Sequence, residues 1–504
     1  MPDSGQGKQK TVTYNFVSCD CGNSSTRVIL CRFDGEKITA KALLQKPNEQ
    51  IKRGGYYYWD IKGIFAYVKR GLALAAREVD KIHSIGICTW GIDFALFDHE
   101  MTMLAAPLCY RNTIGKEELD KLSPEERDAM FFRTGILSDR INTVFMLKGI
   151  QSKMPDIIAR SKKLLMIPDL LNYFFTGRCY SEISEASTTQ LFDVRTMQYS
   201  REQCGINGIS PELFYPVVEH GTLIGNVLPE ILKETGITYD IPVVCIPSHD
   251  TASAVMGAPI EEEVFLFISA GTWALIGIHC REPVINETVL HRGFTNEAGA
   301  FGHITLLKNS IGLFIFQKLH AEYCAEDSRE ISWDEFETMP DSYEGPPLLF
   351  DVNHPDFFNP PCMGKAIQDY LMRLGRIKGP ISRAALVSAA YASLAASFAA
   401  GLNGVKEISG ADLQKAVIVG GGSRDKKLIQ LVADISGMEI IAGGLECTSI
   451  GNALAQAAYV CRGISYGDLR KIAAASVNTT RYVRNKNKGS LLEEYSTLNR
   501  SGYV

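Results

Sequence analysis

"TVTYNFVSCDCGNSSTRVILCRFDGEKITAKALL", Thr11 to Leu44, is the stretch on which the fold turns. Its first part, up to Asp20-Cys21-Gly22, is β-rich and reads as a strand. A second strand follows, then a turn at Asp34-Gly35 and a third strand. Outward from it, Ile61 to Val79 has helical periodicity, and Ile82 to Asp98 reads as two short strands broken at Trp90-Gly91. Asn142 to Gly177 reads as helical with a break near Pro155. Near residue 241 the grammar restarts. "IPVVCIPSHDTASAVMGA" is a strand leading into a helix, and "EVFLFISAGTWALIGI", Glu263 to Ile278, is strand, Gly turn, strand. A helix from Ala384 follows, then a strand, glycine turn and helix over Gln414 to Gly437, and a strand, loop and helix up to Gly463. Two α/β domains, 11–255 and 256–465, with the ligand cleft between them are the economical architecture, and 466–504 reads as a closing helix and tail.

The 504 residues are too many for one core, and the 46% hydrophobic and 22% charged composition is that of a globular protein. A net charge of -5 offers no basic surface for nucleic acid or anionic lipid. Thirteen scattered cysteines without a CxxC pair read as reduced thiols of a cytoplasmic protein, and the nine histidines show no metal-ligand spacing. Met1 to Lys10 has no apolar core and is not a secretory leader. Ala384 to Leu402 carries no charge, but its Ala and Ser content fits a buried, closely packed helix better than a membrane span.

Five short elements carry chemistry. "DCGNSSTR", Asp20 to Arg27, can aim several backbone N–H groups and hydroxyls at one anion, and Asp20 can hold Mg²⁺ directly or through water; the same turn is also compatible with a plain hairpin. "SAGTW", Ser269 to Trp273, has the same character, with the Thr272 hydroxyl beside the phosphates, so the pair can clamp a polyphosphate from both sides. Gly420 to Gly422 follow a β-branched strand, and their backbone can lie against a flat ligand. Neither GxGxxG nor GxxxxGK[ST] is present. In "SHDTASAV", Asp250 is placed either to accept a proton from a substrate hydroxyl or to cap the helix. In "CTWGIDFALFD", Trp90 offers an apolar face, Gly91 allows close contact, and Asp93 either accepts sugar hydroxyls or is a buried structural acceptor.

Taken together, these strings, with "PDLLNYFFTG", "EASTTQLFD", "FTNEAG", "LKNSIGLFIFQ" and "TSIGNALAQA", resemble the FGGY carbohydrate kinases from about Asn15 to Gly463. They are most similar to that family's rhamnulokinases, with the fuculokinases second. The resemblance implies two actin-like ATPase (ribonuclease H-like) domains around an interdomain active site. It also implies ATP-dependent phosphorylation of the C-1 hydroxyl of a 6-deoxy-L-ketohexose, L-rhamnulose before L-fuculose. Asp250 would be the general base. Gly91, His249, Asp250, Thr251 and Asn309 would contact the sugar, joined by Asp93. Asn23, Ser24, Ser25, Thr26, Arg27, Thr272, Gln317, Gly421 and Gly422 would serve ATP, with Asp20 near Mg²⁺. The expected partners are the sugar and ATP, with no nucleic acid or membrane, in a monomer or homodimer. A non-catalytic actin-like ATP-binding protein is the alternative of another class.

Some positions depart from the rhamnulokinase pattern. Cys88 stands where an acid is usual, and "YRNTIG" from Tyr110 puts Asn112 in place of an acid. These two changes remove charge, which predicts a looser sugar pocket that accepts both ketoses.

Overall fold

The computed structural model describes residues 13–500; Met1 to Lys10, read above as no leader, lie outside the described residues. Two sheets organise the chain. The first has six strands, in the order Leu223–Asn226, Pro242–Val244, Ser84–Thr89, Tyr14–Cys21, Ser25–Phe33 and Ile38–Pro47. The second has seven: Thr295–Ala298, Ile304–Ile311, Trp273–Cys280, Phe265–Ala270, Lys415–Val419, Glu439–Gly443 and Thr479–Tyr482. In each, an antiparallel hairpin lies beside a parallel strand: Tyr14–Cys21 pairs with Ser25–Phe33 and with Ser84–Thr89, and Phe265–Ala270 pairs with Trp273–Cys280 and with Lys415–Val419. The repeated strand–turn–strand opening read from the sequence is present in both halves.

Period-two alternation sends each strand's side chains to two different cores. On the first sheet, Val17, Val28 and Leu30 pack with Ile64, Val68 and Leu72 of the helix Ile61–Glu78. Phe16, Ile29 and Cys31 point the other way, onto Ile450 and Leu454 of the helix Cys447–Val460. On the second sheet, Leu266 and Ile268 meet Leu394, Phe398 and Leu402 of the helix Arg383–Ser409, while Phe265 and Phe267 pack with Val255 of the helix Asp250–Met256. The two halves therefore exchange a helix: the one leaving the first sheet covers the second, and the reverse. Where these helices cross, backbone meets backbone. A Cβ on Gly451 would overlap the carbonyl oxygen of Ser253, and one on Gly257 that of Cys447.

The uncharged stretch lies within a 27-residue helix, Arg383–Ser409, capped by Ser382 and closed by Gly410 in the left-handed conformation. It is the one helix among the described residues long and apolar enough to cross a membrane, and 89% of that apolar window is buried inside the protein. Gly401 lets it lie against Ile276 of the sheet. Burying Leu394, Phe398 and Leu402 contributes roughly 2 kcal/mol each relative to exposure.

Two segments differ from the sequence reading. Between the helices Thr143–Lys153, Pro155–Arg160 and Ile167–Thr176 lies a strand, Lys163–Met166, which pairs antiparallel with Phe94–Phe97. Its four residues are too few to show a period. The closing segment is more than a helix and tail. It has a helix Tyr466–Ser476, the edge strand Thr479–Tyr482 of the second sheet, and a last helix, Gly489–Arg500, whose Tyr495 is buried in the second core.

Candidate active site

The parallel strands of the first sheet end side by side. Asp20 pairs with Cys88, Cys21 with Thr89, and Thr89 bridges to His249. Open α/β sheets bind ligands at this edge, where strand carboxyl ends and helix N-termini converge. His249 is the N-cap of Asp250–Met256 and Asp250 its first residue, so Asp250 does not cap the helix. Its carboxylate accepts from the Thr251 hydroxyl at 3.3 Å and keeps one third of its side chain exposed. Burial raises the proton affinity of Asp250, His249 lowers it and Asp20 raises it again, for a net upward shift. An aspartate of this kind can take a proton without being fixed as a permanent anion.

His249 lies between two carboxylates: its Nε2 is 3.6 Å from Asp250 and its Nδ1 3.3 Å from Glu297 of the second half. Burial works against a charged ring, but Glu297 and then Asp250 outweigh it and bring the pKa to about 9. A Cβ on Gly91 would stand 3.3 Å from the His249 ring and closer still to Thr188, so glycine there leaves room at the imidazole. The next residue, Ile92, has φ of 74°, a strained setting for a β-branched side chain. Its N–H donates to Thr188 Oγ1 and its carbonyl accepts from Thr143 Oγ1.

Asp93 is fully buried and accepts from the indoles of Trp59 at 2.5 Å and Trp90 at 2.9 Å and from the Tyr110 N–H. Burial pushes its pKa up to about 7 against those hydrogen bonds. All three bonds go to Oδ2, which ties together the tilted Trp59 and Trp90 rings, their centroids 4.2 Å apart, while the buried Oδ1 has no protein partner. In "YYYWD", Asp60 caps the helix Ile61–Glu78 through the Gly63 N–H.

Cys88 and Asn112 are both engaged within the protein, Cys88 close to Asp20 and Asp250. Cys88 is fully buried on the face covered by Cys447–Val460, its thiol near the Cys19 carbonyl and Asn452. Asn112 is used up on backbone, accepting from the Tyr57 N–H and donating to the carbonyls of Tyr57 and Cys109.

The first turn is laced by Asn48, which donates to the Gly22 carbonyl and accepts from the Thr26 hydroxyl. Thr26 is thereby buried, whereas Ser24 is exposed and Asn23 and Ser25 are half-buried, with Asn23 donating to the Tyr110 hydroxyl. Arg27 reaches between Asp20 and Glu446, the latter just ahead of Cys447–Val460. In the second half, Gly312 and Leu313 donate to the carbonyls of Thr272 and Gly271, and the Thr272 hydroxyl donates to Gln317 at 3.4 Å. Gly420, at φ 80°, lies against the Ala270 carbonyl, and a Cβ on Gly422 would strike Ala270. The "SAGTW" turn, the glycine run and Gln317 thus converge. Asn309 is exposed on the same strand face as Leu307, which packs with Val255 of the Asp250 helix. Sequence reading gave no role to Glu297, which lies inside "FTNEAG", or to Glu446. Both act across the halves, and neither carries a local signal beyond an acid in a short strand or a loop.

Models of the FGGY family of carbohydrate kinases match the chain twice, the N-terminal domain over residues 15–257 and the C-terminal domain over 266–460. The chain is 33% identical over 470 residues to a rhamnulokinase of Bacteroides thetaiotaomicron, covering 93% of this chain and 95% of that one. It is 30% identical to a rhamnulokinase of Lactiplantibacillus plantarum, covering 95% and 97%. Among solved structures it is similar to the gluconate kinase of Lactobacillus acidophilus, with a TM-score of 0.78 at 14% identity and 97% of each chain covered. It is similar also to Plasmodium falciparum glycerol kinase with ADP, with a TM-score of 0.77 at 16% identity and the same coverage. The twofold α/β architecture is the actin-like ATPase fold of such kinases. The chain belongs to the FGGY family of carbohydrate kinases and is a sugar kinase.

Proposed function

We propose that this kinase transfers the γ-phosphoryl group of ATP to the C-1 hydroxyl of L-rhamnulose, with L-fuculose as the second substrate. The carrying observation is Asp250, uncapped and part-exposed at the strand-end edge between His249 and Asp20, in a chain whose relatives are named rhamnulokinases. Asp250 takes the hydroxyl proton as the phosphoryl group arrives. Gly91, His249, Thr251 and Asn309 hold the ketose, and Asp93 acts from behind by fixing Trp90. Asn23, Ser24, Ser25 and the Thr26 backbone, with Arg27 and Thr272, receive the phosphates, while Gln317, Gly421 and Gly422 receive the nucleoside. Phosphoryl transfer asks the protein mainly for positioning and charge stabilisation, which these elements provide.

A Mg²⁺ ion fits this donor set. Among the described residues no three His, Cys, Asp or Glu side chains gather to cage a metal. One carboxylate beside the phosphates is what Mg²⁺ uses when it arrives with a nucleotide. Asp20 would hold it, and the bound ion would neutralise phosphate charge. We assign the enzyme to the cytoplasm, acting on ATP and a free sugar as a monomer or homodimer, without nucleic acid or membrane.

Competition between L-rhamnulose and L-fuculose at limiting enzyme tests the substrate. L-rhamnulose is expected to give the higher kcat/KM. The two sugars differ in hydroxyl stereochemistry, and a site built to bond one hydroxyl can reject an analogue by as much as ~10⁴-fold. Cys88 and Asn112 are uncharged, so measurable activity on both sugars is expected, and a preference for L-fuculose would overturn this assignment while leaving the kinase standing. The nucleotide half is tested separately. Gly421→Val is expected to raise KM for ATP, because it adds a side chain where backbone meets adenosine. Thr272→Val is expected to act more on kcat. Unaltered nucleotide affinity of Gly421→Val in calorimetry would make the glycine run purely structural.

A further inference from the structure

We infer that Glu297 is a positioning residue for the phosphoryl transfer proposed above, on which this inference rests: from the second half, its carboxylate holds the His249 ring in place and charged beside Asp250. Glu297 lies on the edge strand Thr295–Ala298, opposite Thr305. Its neighbours Asn296 and Ala298 are buried on the other face, so alternation turns Glu297 toward the first half, where its carboxylate stands 3.3 Å from His249 Nδ1.

The placement is built rather than incidental. The short helix Ile183–Ser187 of the first half grips both partners. Ser184 Oγ accepts from the His249 N–H at 3.0 Å, and one turn later Ser187 Oγ accepts from the Ala298 N–H at 3.0 Å. Ser184 is itself held by Glu182, whose other oxygen meets His220 at 2.5 Å. The Asn296 side chain ties the same strand to the Gly135 carbonyl. Residues 249 and 297 are thus fixed to one template by hydrogen bonds on either side of the ion pair.

The chemistry follows from the charges facing His249: Glu297 and Asp250 in contact, and Glu182 behind Ser184. Gly91 beside the ring is uncharged, and on the helix Ile183–Ser187 the fully buried Glu185, which faces Asp250, is pushed toward its neutral form by burial and by Glu182. Beyond Asp250 stands Asp20, paired with Arg27. With Glu297 present the ring carries its proton through neutral pH, and that positive charge opposes the burial and the Asp20 charge that favour protonated Asp250. Without Glu297, burial favours a neutral ring, and Asp250 loses the charge that keeps it a base. His249 keeps its proton throughout, and the substrate proton goes to Asp250.

The test is Glu297→Gln, with Glu297→Asp as a second variant that retains the charge. Histidine-selective NMR titration of the unliganded enzyme, assigned by the signal lost in His249→Gln, reads the ring directly. The expected result is a fall of the His249 midpoint by one pH unit or more from about 9. With it, kcat at neutral pH is expected to drop about tenfold, the acid limb of the kcat profile to move to higher pH, and Glu297→Asp to recover most of both. An unchanged His249 midpoint overturns the inference alone, because that titration involves no turnover. A raised KM for the ketose with an unmoved pH profile also overturns it, making Glu297 a direct sugar contact. Failure of the unaltered enzyme to phosphorylate any ketose removes the function and this inference together.

Discussion

Asp250→Asn is expected to lower kcat by ~10²-fold or more while nucleotide affinity stays near that of the unaltered protein. The substitution keeps the shape of the side chain and its contact with Thr251, and it removes the ability to accept a proton together with the charge beside His249. Asp250 is the first residue of its helix with His249 as the cap, so the change costs no capping hydrogen bond, and a folding defect should not mimic the kinetic one. The elements proposed for the nucleotide, Thr272, Gln317 and Gly420 to Gly422, are tied to Ala270, Gly271, Gly312 and Leu313, not to Asp250. Steady-state turnover with L-rhamnulose, beside calorimetric titration with a non-hydrolysable ATP analogue, separates the two effects. Near-normal turnover in the folded variant would show that the base lies elsewhere.

Much of this site was legible because its backbone turns are local. "DCGNSSTR" and "SAGTW" sit between β-branched runs, and such turns need only small residues at fixed places to be recognised. "SHDTASAV" announced a strand end meeting a helix N-terminus. That Asp250 does not cap the helix required the backbone, which puts His249 at the cap. The surroundings of Cys88 were not legible in the sequence. It alternates with Ile85 and Ile87, but both faces of its strand are buried, one under Ile61–Glu78 and the other under Cys447–Val460, so periodicity cannot say which face it joins. Glu297 was missed because its partner is His249, 48 residues earlier and in the other half, and a four-residue edge strand shows no usable period. The helix exchange was equally hidden. It is visible only in which cores Val255 and Ile450 join.

Arg470→Met is expected to be the most destabilising single change, at ~4 kcal/mol, since each of several buried carbonyls left without a partner costs roughly 1–3 kcal/mol. In sequence Arg470 looks like a surface residue of "YGDLRKIAAAS", yet it is fully buried. Its guanidinium lies 4.8 Å over the Phe265 ring and donates to three carbonyls: Met256 at 2.5 Å, Ala258 at 2.6 Å and Ile260 at 2.6 Å. Met256 ends the helix that Asp250 begins, so a side chain from the closing segment anchors the far end of that helix. Burial opposes the charge and lowers the pKa, against Tyr466, Cys447 and Glu262, which favour it. Methionine keeps most of the length and the apolar contact with Phe265 but has no donor. Lysine keeps the charge without the planar fork, so Arg470→Lys should fall between the two. Urea unfolding followed by intrinsic fluorescence reads the stability, and kcat read beside it should fall as the helix loosens. An unchanged urea midpoint in Arg470→Met would mean that solvent or a shifted neighbour satisfies these carbonyls, and that the closing segment does not brace the Asp250 helix.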